Sequence, residues 1–388
     1  MGLFERIFKK PLPSRKGGGT WQTLTAYSPA LITWGGDLYS SDLIRAAIDA
    51  RARHIAKLTP NITGSAKPSL RTRLQKAPNE WQTWSQFLYR LSTILDVQNT
   101  AFVVPVFGEY GEVTGIYPIL QSQCELVQYD GEPYIRCHFS NGRVAAISLF
   151  EIGIMTRFQY RDDFFGEDNG ALAATMQLIA IQQQGIQEAV KNSNTFRFMA
   201  RVTNFVKPED ISKERLRFNR ENLEGDGGGL LLFPKTYEEI KQIDSKSYTI
   251  DADSMKLIQT QVFDYYGVSE EVLQNRAIGD AWAAFYEGAI EPFAVQLSEV
   301  LTRMLFTQQE QTRGNTVFFS ANRLQYMSNR DKLQITSDMA DRGLMTRNEL
   351  REIWNLPPFP EPLGSQIPAR GEYYDVTAGK ENGGTDDE

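Results

Sequence analysis

The sequence predicts a protein of the α+β class, and three features of its 388 residues lead to that prediction. Two amphipathic helical patterns come first, a run of short strands separated by turn residues follows, and longer helical patterns fill the second half. Apolar residues are 41% and charged residues 23% of the chain, which is the balance of an ordinary soluble protein. The length suffices for two or three small domains or for one elongated subunit.

Composition argues against several classes of protein. The two cysteines, Cys124 and Cys137, are too few for a secreted disulfide framework, so we expect core residues in a reducing cytoplasm. The two histidines, His54 and His138, share no ligand spacing with them, so no metal site and no cofactor are predicted. No apolar run approaches the length of a membrane span. A net charge of −7 argues against tight, sequence-neutral DNA binding, but not against a protein past which DNA slides.

The first part of the chain is predicted to contain a solvated arm at 1–19, two helices and a sheet. The helices span Asp42 to Leu58 and Asn79 to Asp96, each with one apolar face. Five short strands follow, with the sequences AFVVPVF, GIYPIL, CELVQY, PYIRCHF and RVAAISL. Turn signals such as Asp130-Gly131 separate them, so one small antiparallel sheet with a solvated face is expected.

A long helical pattern extends from Ala171 to about Arg197. Its near-heptad spacing suits either helices packed in a ring or an amphipathic helix in a globular core, and the seam residues are Leu172, Met176, Ile179, Ile186 and Val190. The strand VTNFV, a polar helix to Leu223 and the strand GLLLFP come next. The glycines from Gly225 to Gly229 predict a flexible hinge rather than a phosphate loop, because no Gly-Lys-Ser/Thr follows them.

The segment from Asp253 to Phe306 predicts a helix, a loop and a bent helix. The first helix ends at Gly267 and carries a narrow apolar seam formed by Met255, Ile258, Val262 and Tyr265. Small polar residues and glycine predict a loop from Gln274 to Asp280. The second helix contains Pro292, which removes a backbone hydrogen bond and predicts a bend at about Gly288.

The last part of the chain is predicted to contain a strand in NTVFFSANRLQYM, two helices and a tail. The first helix spans Asp331 to about Arg342 and ends at Gly343. Thr346 and Glu349 form a capping box that starts the second helix. The remaining residues are rich in proline, glycine and acidic side chains, so we expect most of them to be disordered.

The order of these parts resembles that of a bacteriophage portal protein, of the compact type found in long-tailed double-stranded DNA phages. The resemblance covers roughly residues 40 to 358 and depends on the motifs APNEWQTWSQFL, QNTAFVVPVF, GIYPIL, FDYYGVSEEVL, IEPF and GLMTRNELREIWNLPP. Two departures are visible. Gln98-Asn99-Thr100-Ala101 stands where the family usually has Gly-Asn-Ala, and residues 276–280 lack the family's usual threonine.

The resemblance implies the portal fold, with a wing, a helical stem, a clip, a tunnel loop and a crown. The parts are a flexible arm (1–19), the wing (20–170), a stem helix (171–201), the clip (202–250), a second stem helix (251–267), the tunnel loop and kinked helix (268–306), a returning wing strand (307–330), a short crown (331–360) and a disordered acidic tail (361–388).

The resemblance also implies a function without catalysis. Portal proteins form a ring, most often of twelve subunits, at one capsid vertex, and double-stranded DNA is packaged and ejected through it. The implied partners are further copies of the chain, DNA, the packaging motor (large terminase), the major capsid protein and a neck or adaptor protein. The implied location is the virion, after assembly in the cytoplasm of a host bacterium.

The candidate site is the wall of a DNA channel, where the resemblance places the predicted loop. Its residues are Gln274, Asn275, Arg276, Ala277, Ile278, Gly279, Asp280 and Trp282. Twelve helices with axes about 9 to 10 Å apart enclose a hole of about 25 to 28 Å, which admits duplex DNA. We expect Arg276 to touch phosphates transiently, and Ile278 and Trp282 to close the loop against a neighbour or DNA.

The charges around the loop suit a passage that repels DNA weakly. A wall of basic residues would bind phosphates at every step, whereas the segment from Asp253 to Phe306 has eight acidic and three basic residues. The acidic residues are Asp253, Asp264, Glu270, Glu271, Asp280, Glu287, Glu291 and Glu299, and the basic ones are Lys256, Arg276 and Arg303. A solvated helix face explains each of these residues equally well when it is taken alone.

Two other functions stay open at this point. Another ring component of a virion, such as a neck or tail protein, is one, although such chains are usually dominated by β structure. A metal-dependent hydrolase is the other, because adjacent Asp162 and Asp163 could bind a metal or share acid and base roles. Metal-dependent activity on a phosphate ester would favour the hydrolase, and ring-shaped particles in electron micrographs would favour the portal.

Overall fold

The computed structural model describes residues 22–23, 38–110, 112–120, 124–138, 144–193, 198–202, 208–218, 220, 237–242, 252–321, 329–354 and 356–368. These residues form two compact units. One contains the residues up to Leu172 and those from Thr260 onward, and the other is Ala173–Gln259. None of the helices in these ranges is long and apolar enough to cross a membrane.

The helices and strands confirm the α+β class. The helices are α1 (Asp42–Ile55), α2 (Pro68–Lys76), α3 (Trp84–Gln98), α4 (Ala173–Ser193), α5 (Pro208–Phe218), α6 (Ala252–Tyr266), α7 (Glu270–Leu273), α8 (Asp280–Phe285), α9 (Glu291–Leu305), α10 (Gln308–Thr312), α11 (Asn329–Asp341) and α12 (Arg347–Ile353), with a π-helical turn at Tyr286–Ile290. The strands are β1 (Gln22–Thr23), β2 (Thr59–Ile62), β3 (Thr100–Phe107), β4 (Val113–Leu120), β5 (Cys124–Tyr129), β6 (Glu132–His138), β7 (Val144–Ser148), β8 (Gly153–Thr156), β9 (Phe198–Val202), β10 (Tyr237–Gln242) and β11 (Val317–Ser320).

Two antiparallel sheets form where one was predicted, so that prediction is wrong. Their strand orders are β4-β3-β8 and β1-β5-β6-β7. Side chains from both sheets, including Phe102 of β3 and Leu126 of β5, share one buried core. Helix α3 contacts β3 as well, so β3 is buried over nearly its whole length. An unbroken apolar run such as AFVVPVF fits a strand covered on both faces.

Helix α3 begins later than the sequence predicted. Asn79, the predicted first residue, lies in a turn, where its side-chain oxygen accepts backbone N–H bonds at 2.9 Å from residues two and three positions on. The helix starts at Trp84 behind a capping box, in which Thr83 accepts from Gln86 N at 3.3 Å and Gln86 accepts from Thr83 N at 3.0 Å. The Asn79 turn therefore uses the polar residues that the prediction placed in the helix.

The hairpin of β5 and β6 confirms two predictions. Asp130 and Gly131 both have positive φ, 53° and 82°, as a two-residue type I′ turn requires. This turn pairs Cys124 with Cys137 across the strands. Both cysteines are buried and free, with their sulfur atoms 2.8 Å apart. They are core residues on strands, as predicted.

The second unit contains α4, α5 and the antiparallel pair β9–β10. The predicted strands VTNFV and GLLLFP and the glycines 225–229 lie outside the described residues, except for Val202, which ends β9. On α4, Met176 is buried, whereas Ile186 is exposed. The side chain of Val190 also lies outside the described residues.

The C-terminal part returns to the first unit. Strand β11 pairs antiparallel with β2, which was not predicted, and α9 contacts β11. Thr346 and Glu349 form the predicted capping box at α12. The predicted disorder is wrong for residues 361–368, because this stretch turns back onto α12, where the backbone N–H of Asn348 donates to Gly364 O at 3.0 Å. Residues 369–388 lie outside the described residues.

Candidate functional site

The predicted loop is present between α7 and α8, at residues 274–279. Its first half is tightly wound, because the backbone N–H groups of Arg276 and Ala277 both donate to Glu271 O, at 2.7 and 3.1 Å. Gly279 ends the loop with a φ of 58°, and a Cβ there would meet no atom within 4 Å. The loop is therefore anchored at its start and unobstructed at its end.

The loop side chains are turned to solvent. All are exposed except that of Ala277, which is half-buried, and Ile278 is 71% exposed. Arg276 donates a hydrogen bond to the side chain of Gln274. Asp280 is exposed at the first position of α8, where a carboxylate is favoured by the helix dipole. The large apolar side chain of Ile278, exposed to solvent, suits contact with another molecule. The predicted contacts of Arg276 and Ile278 with DNA or a neighbouring subunit stay predictions.

Trp282 does not take the position that the sequence predicted for it. It is only 8% exposed, and its ring lies 4.6 Å from that of His54 on α1 and 5.7 Å from that of Phe285. Phe285 also contacts His54, edge to face, at 5.5 Å. The prediction that Trp282 contacts DNA or a neighbour is wrong for this placement, because an apolar ring of this size gains more from burial against α1. Trp282 anchors α8, and with it the end of the loop.

Acid is expected to weaken this aromatic cluster. The pKa of His54 is lowered from 6.5 to about 4, first because burial disfavours the charged ring and then through repulsion from Lys57 and Arg53. In the unfolded chain His54 binds a proton below about pH 6.5, whereas in the folded protein it stays neutral until about pH 4. The stability that neutral His54 contributes is therefore present above pH 6.5 and is lost as the pH falls towards 4. Thermal melts from pH 7 to pH 4.5 should show this loss. His54→Phe should remove this part of the pH dependence and His138→Gln, at an exposed position, should retain it; equal slopes in both variants would contradict the assignment.

The predicted bend coincides with a change in helical winding. Between α8 and α9 the residues Tyr286–Ile290 form a π-helical turn, which contains Gly288. Pro292 lies in the first turn of α9, where a missing N–H is tolerated. A π-helical turn is a known cause of a helix kink, so the winding supports the predicted bend at Gly288.

A buried ionic cluster contacts the chain on both sides of the loop, at the end of α6 and in the π-helical turn. It was not predicted from the sequence. Asp96 on α3 is fully buried, and its Oδ1 accepts hydrogen bonds from Arg51 Nη1 and, at 2.9 Å, from Arg157 Nη1. Arg157 Nη2 also donates to Tyr265 O at the end of α6, at 2.6 Å. Arg51 donates to Ala289 O in the π-helical turn through Nε and Nη2, at 3.4 and 3.2 Å. One carboxylate thus connects α1, α3, the end of α6 and the turn before α9.

Amide side chains extend the cluster. Asn99 has a φ of 52° at the C-terminus of α3 and donates to Glu167 O at 2.7 Å and to Asn169 Oδ1 at 2.8 Å. Asn169 Oδ1 also accepts from the Tyr265 hydroxyl at 2.7 Å. An asparagine tolerates this left-handed backbone better than other residues with a side chain. The Asn99 turn, one of the two family departures, is therefore a connection between α3 and α6.

The sequence does contain a signal for the ionic cluster. Arg51 falls on the apolar face of α1, in the series Ile44, Ala47, Ile48, Arg51 and Ile55, and every member of that series is buried. A charged residue at a core position requires a buried partner. The pattern therefore predicts that a partner exists, but the identity of Asp96 depends on how the helices pack.

The other predicted residues have the following positions. On the α6 seam, Ile258 and Val262 are buried and Met255 and Tyr265 are half-buried, which fits the predicted apolar face. Asp162 is a turn cap, since its Oδ1 accepts from the backbone of Phe164 and Phe165 at 2.8 and 3.0 Å. Within the described ranges, no three or more His, Cys, Asp or Glu side chains are grouped as a metal site would require. The hydrogen bonds of Asp162 therefore explain this residue as part of a turn.

Comparison with known proteins gives one family and several solved structures. A family model described as phage portal protein matches residues 43–355. A chain of the virion of a native gene transfer agent particle has 15% identity and a TM-score of 0.56, with 88% of this chain and 97% of that chain covered. A chain from the neck of the native particle, computed with C12 symmetry, has 15% identity and a TM-score of 0.56, with 86% and 96% covered. A chain from the neck of the empty particle, computed with C6 symmetry, has 15% identity and a TM-score of 0.55, with 88% and 96% covered. No curated protein matches the chain.

Proposed function

Because the chain belongs to the family of phage portal proteins and acts at a virion vertex, we propose that its copies form a ring around a channel for double-stranded DNA. The predicted resemblance to portal proteins is confirmed by the family match. The observation that carries the channel proposal is the exposure of the loop 274–279 between two anchored helices. Helix α7 is held by its buried residue Val272, and α8 by Trp282. An exposed loop on fixed supports is the part of the chain best suited to contact DNA as it passes.

Twelve copies are the proposed ring size. One structure of similar fold is a neck computed with C12 symmetry, which supports a ring of that order. The estimated hole of about 25 to 28 Å for twelve packed helices agrees with the passage of a duplex. In this ring the channel wall is the loop together with α6 and α9.

The charges on these elements support weak repulsion. Of the eight acidic residues from Asp253 to Phe306, all except the half-buried Glu291 are exposed, and the three basic residues are also exposed. The acidic excess keeps phosphates from binding tightly at each step of transport. Arg276 is the one basic residue of the loop and the proposed site of brief phosphate contact.

The remaining partners follow from the same proposal. The packaging motor, the large terminase, docks on the clip during filling, and a neck or adaptor protein docks there afterwards. The wing contacts the major capsid protein. The ring assembles in the cytoplasm of the host bacterium and remains in the virion.

Shortening the loop tests the proposal. Replacement of 275–278 by a single glycine is expected to leave ring assembly unchanged and to reduce packaged or retained DNA at least tenfold, because the removed side chains are exposed or half-buried and Trp282, which anchors α8, is kept. Encapsidated DNA would be quantified after nuclease treatment, and rings would be counted in electron micrographs. A matched control is the exposed turn at Gly314, whose Cβ position is also unobstructed, altered to Gly314→Asn. Normal packaging by the shortened loop would refute its role in the channel.

A further inference from the structure

The ionic cluster contacts the main chain at two points that enclose the loop. We define the loop-bearing segment as Tyr265–Ala289, which contains α7, the loop and α8. Tyr265 O is one of the last carbonyls of α6, which have no partner within the helix, and it accepts from Arg157 at 2.6 Å. Ala289 O, at the other end, accepts from Arg51. Both arginines meet at the same oxygen of Asp96.

We propose that Asp96, Arg51 and Arg157 are positioning residues that fix both ends of the loop-bearing segment on α1 and α3. The clamp, as we call these three side chains, fixes the two ends of the loop-bearing segment. Only the consequence for DNA transport depends on the proposed function. The positioning itself is a property of the folded chain.

The chemistry of the clamp suits this role. Each guanidinium is planar and presents several N–H groups in fixed directions, so it can bond a carboxylate and a carbonyl at once. A lysine ammonium could keep the ion pair with Asp96, but it lacks the fork that spans both acceptors. Arg51 is 7% exposed and Asp96 is 0% exposed, so most of this ion pair lies out of bulk water, where its bonds are stronger.

Aromatic rings restrict Arg157 further. Its guanidinium lies 4.6 Å from the ring centre of Phe158, 5.4 Å from that of Tyr266 and 5.7 Å from that of Tyr265. Burial lowers the pKa of Arg157, and the carboxylate of Asp96 opposes that shift. Phe158 has a φ of 53°, which is rare for a residue with a large side chain and persists only where the surroundings fix it. The side chain is therefore held in one position from several directions.

The surroundings leave room for movement if the clamp opens. A cavity of about 470 Å³ lies beside it, lined by both arginines and by residues from each end of the loop-bearing segment, including Tyr265, Gly288 and Ala289. Buried apolar residues such as Tyr266 and Ala289 hold the two ends by packing, but the cavity leaves that packing incomplete. The clamp therefore adds a polar restraint to the apolar packing at this place.

Hydrogen–deuterium exchange of the full-length protein without DNA tests the proposal. Arg51→Lys should preserve assembly and speed exchange of peptides from 280–290 about tenfold or more, since a charged hydrogen bond to Ala289 O is lost. Peptides from β3 and β4 should be unchanged. Arg53→Lys is the matched control, because Arg53 lies two residues away on the same helix in an exposed pair with Asp49.

Two outcomes would overturn the proposal: exchange that rises equally in all peptides, which indicates a purely structural role, and exchange that does not change. If Arg51→Lys does not fold, Arg157→Lys tests the other end of the segment, at Tyr265. The wild-type protein allows a further test that needs no substitution. In the wild type, the loop-bearing segment and α3 should lose protection together as urea is added; earlier opening of the segment would contradict the clamp. Because hydrogen exchange is measured without DNA, it can refute the clamp while the channel proposal stands. Failure of the loop-shortening experiment would refute the channel role of the loop and leave the clamp untouched.

Discussion

Asp96→Ala is expected to lower the free energy of unfolding by about 3 to 5 kcal/mol, because it leaves the buried guanidinium of Arg51 and the half-buried one of Arg157 without their carboxylate. Asp96 is fully buried and pairs with both Arg51 and Arg157. Loss of one partner of a buried ionic cluster costs more than loss of an exposed pair, since it leaves charges without a counterion in a mostly buried position. Urea denaturation followed by circular dichroism would measure the change.

Arg53→Ala is the control for this variant. Arg53 pairs with Asp49 at 2.8 Å on the surface of α1, with side chains 42% and 37% exposed, so its removal should cost less than about 1 kcal/mol. Asp96→Asn should fall between the two, because it keeps the shape and one acceptor but removes the charge. Equal effects of Asp96→Ala and Arg53→Ala would show that the cluster contributes little to stability.

Trp282→Ala is expected to lower the free energy of unfolding by about 3 to 5 kcal/mol, the usual cost of removing a large buried ring. The variant removes the contacts with His54 and Phe285 and leaves a cavity between α1 and α8. Trp81→Ala is the matched control, since Trp81 is 45% exposed and should cost much less. Equal effects of the two substitutions would mean that Trp282 is not buried in the protein in solution, and would restore its predicted place on the channel wall.

Local sequence signals predicted the elements that depend on neighbouring residues. Asp130-Gly131 predicted a hairpin turn, Thr346 and Glu349 predicted the start of α12, and Gly267 predicted the end of α6, where its φ is 66°. Pro292 predicted the position at which the winding changes. In each case a backbone conformation or a missing N–H is determined by one or two residues, so the structure could not easily differ.

The errors concern features that depend on distant parts of the chain. The division of the strands into two sheets depends on long-range pairing, such as that of β3 with β8. The burial of Trp282 depends on His54, more than two hundred residues earlier in the chain. Composition predicted disorder for residues 361–368, but the chain just before them is fixed by two hydrogen bonds between the Asn348 side chain and the Phe359 backbone. None of these contacts leaves a periodic pattern in the sequence.

The candidate site contains one feature that local sequence signals predicted and one that depends on long-range packing. Its loop could be predicted because polar and small residues between two apolar helical patterns rarely form anything else. The clamp could be predicted only in part, since Arg51 on an apolar face indicates a buried partner without naming it. The partner became known only from the packing of α1 against α3, which places Asp96 beside it.

Electron cryo-microscopy of the purified full-length protein would show whether its copies surround a channel. We expect closed rings, with a central hole of about 25 to 28 Å for twelve copies and with residues 274–279 of every copy at its wall. A protein that stays monomeric at every concentration, or rings in which this loop lies on the outer surface, would contradict this expectation.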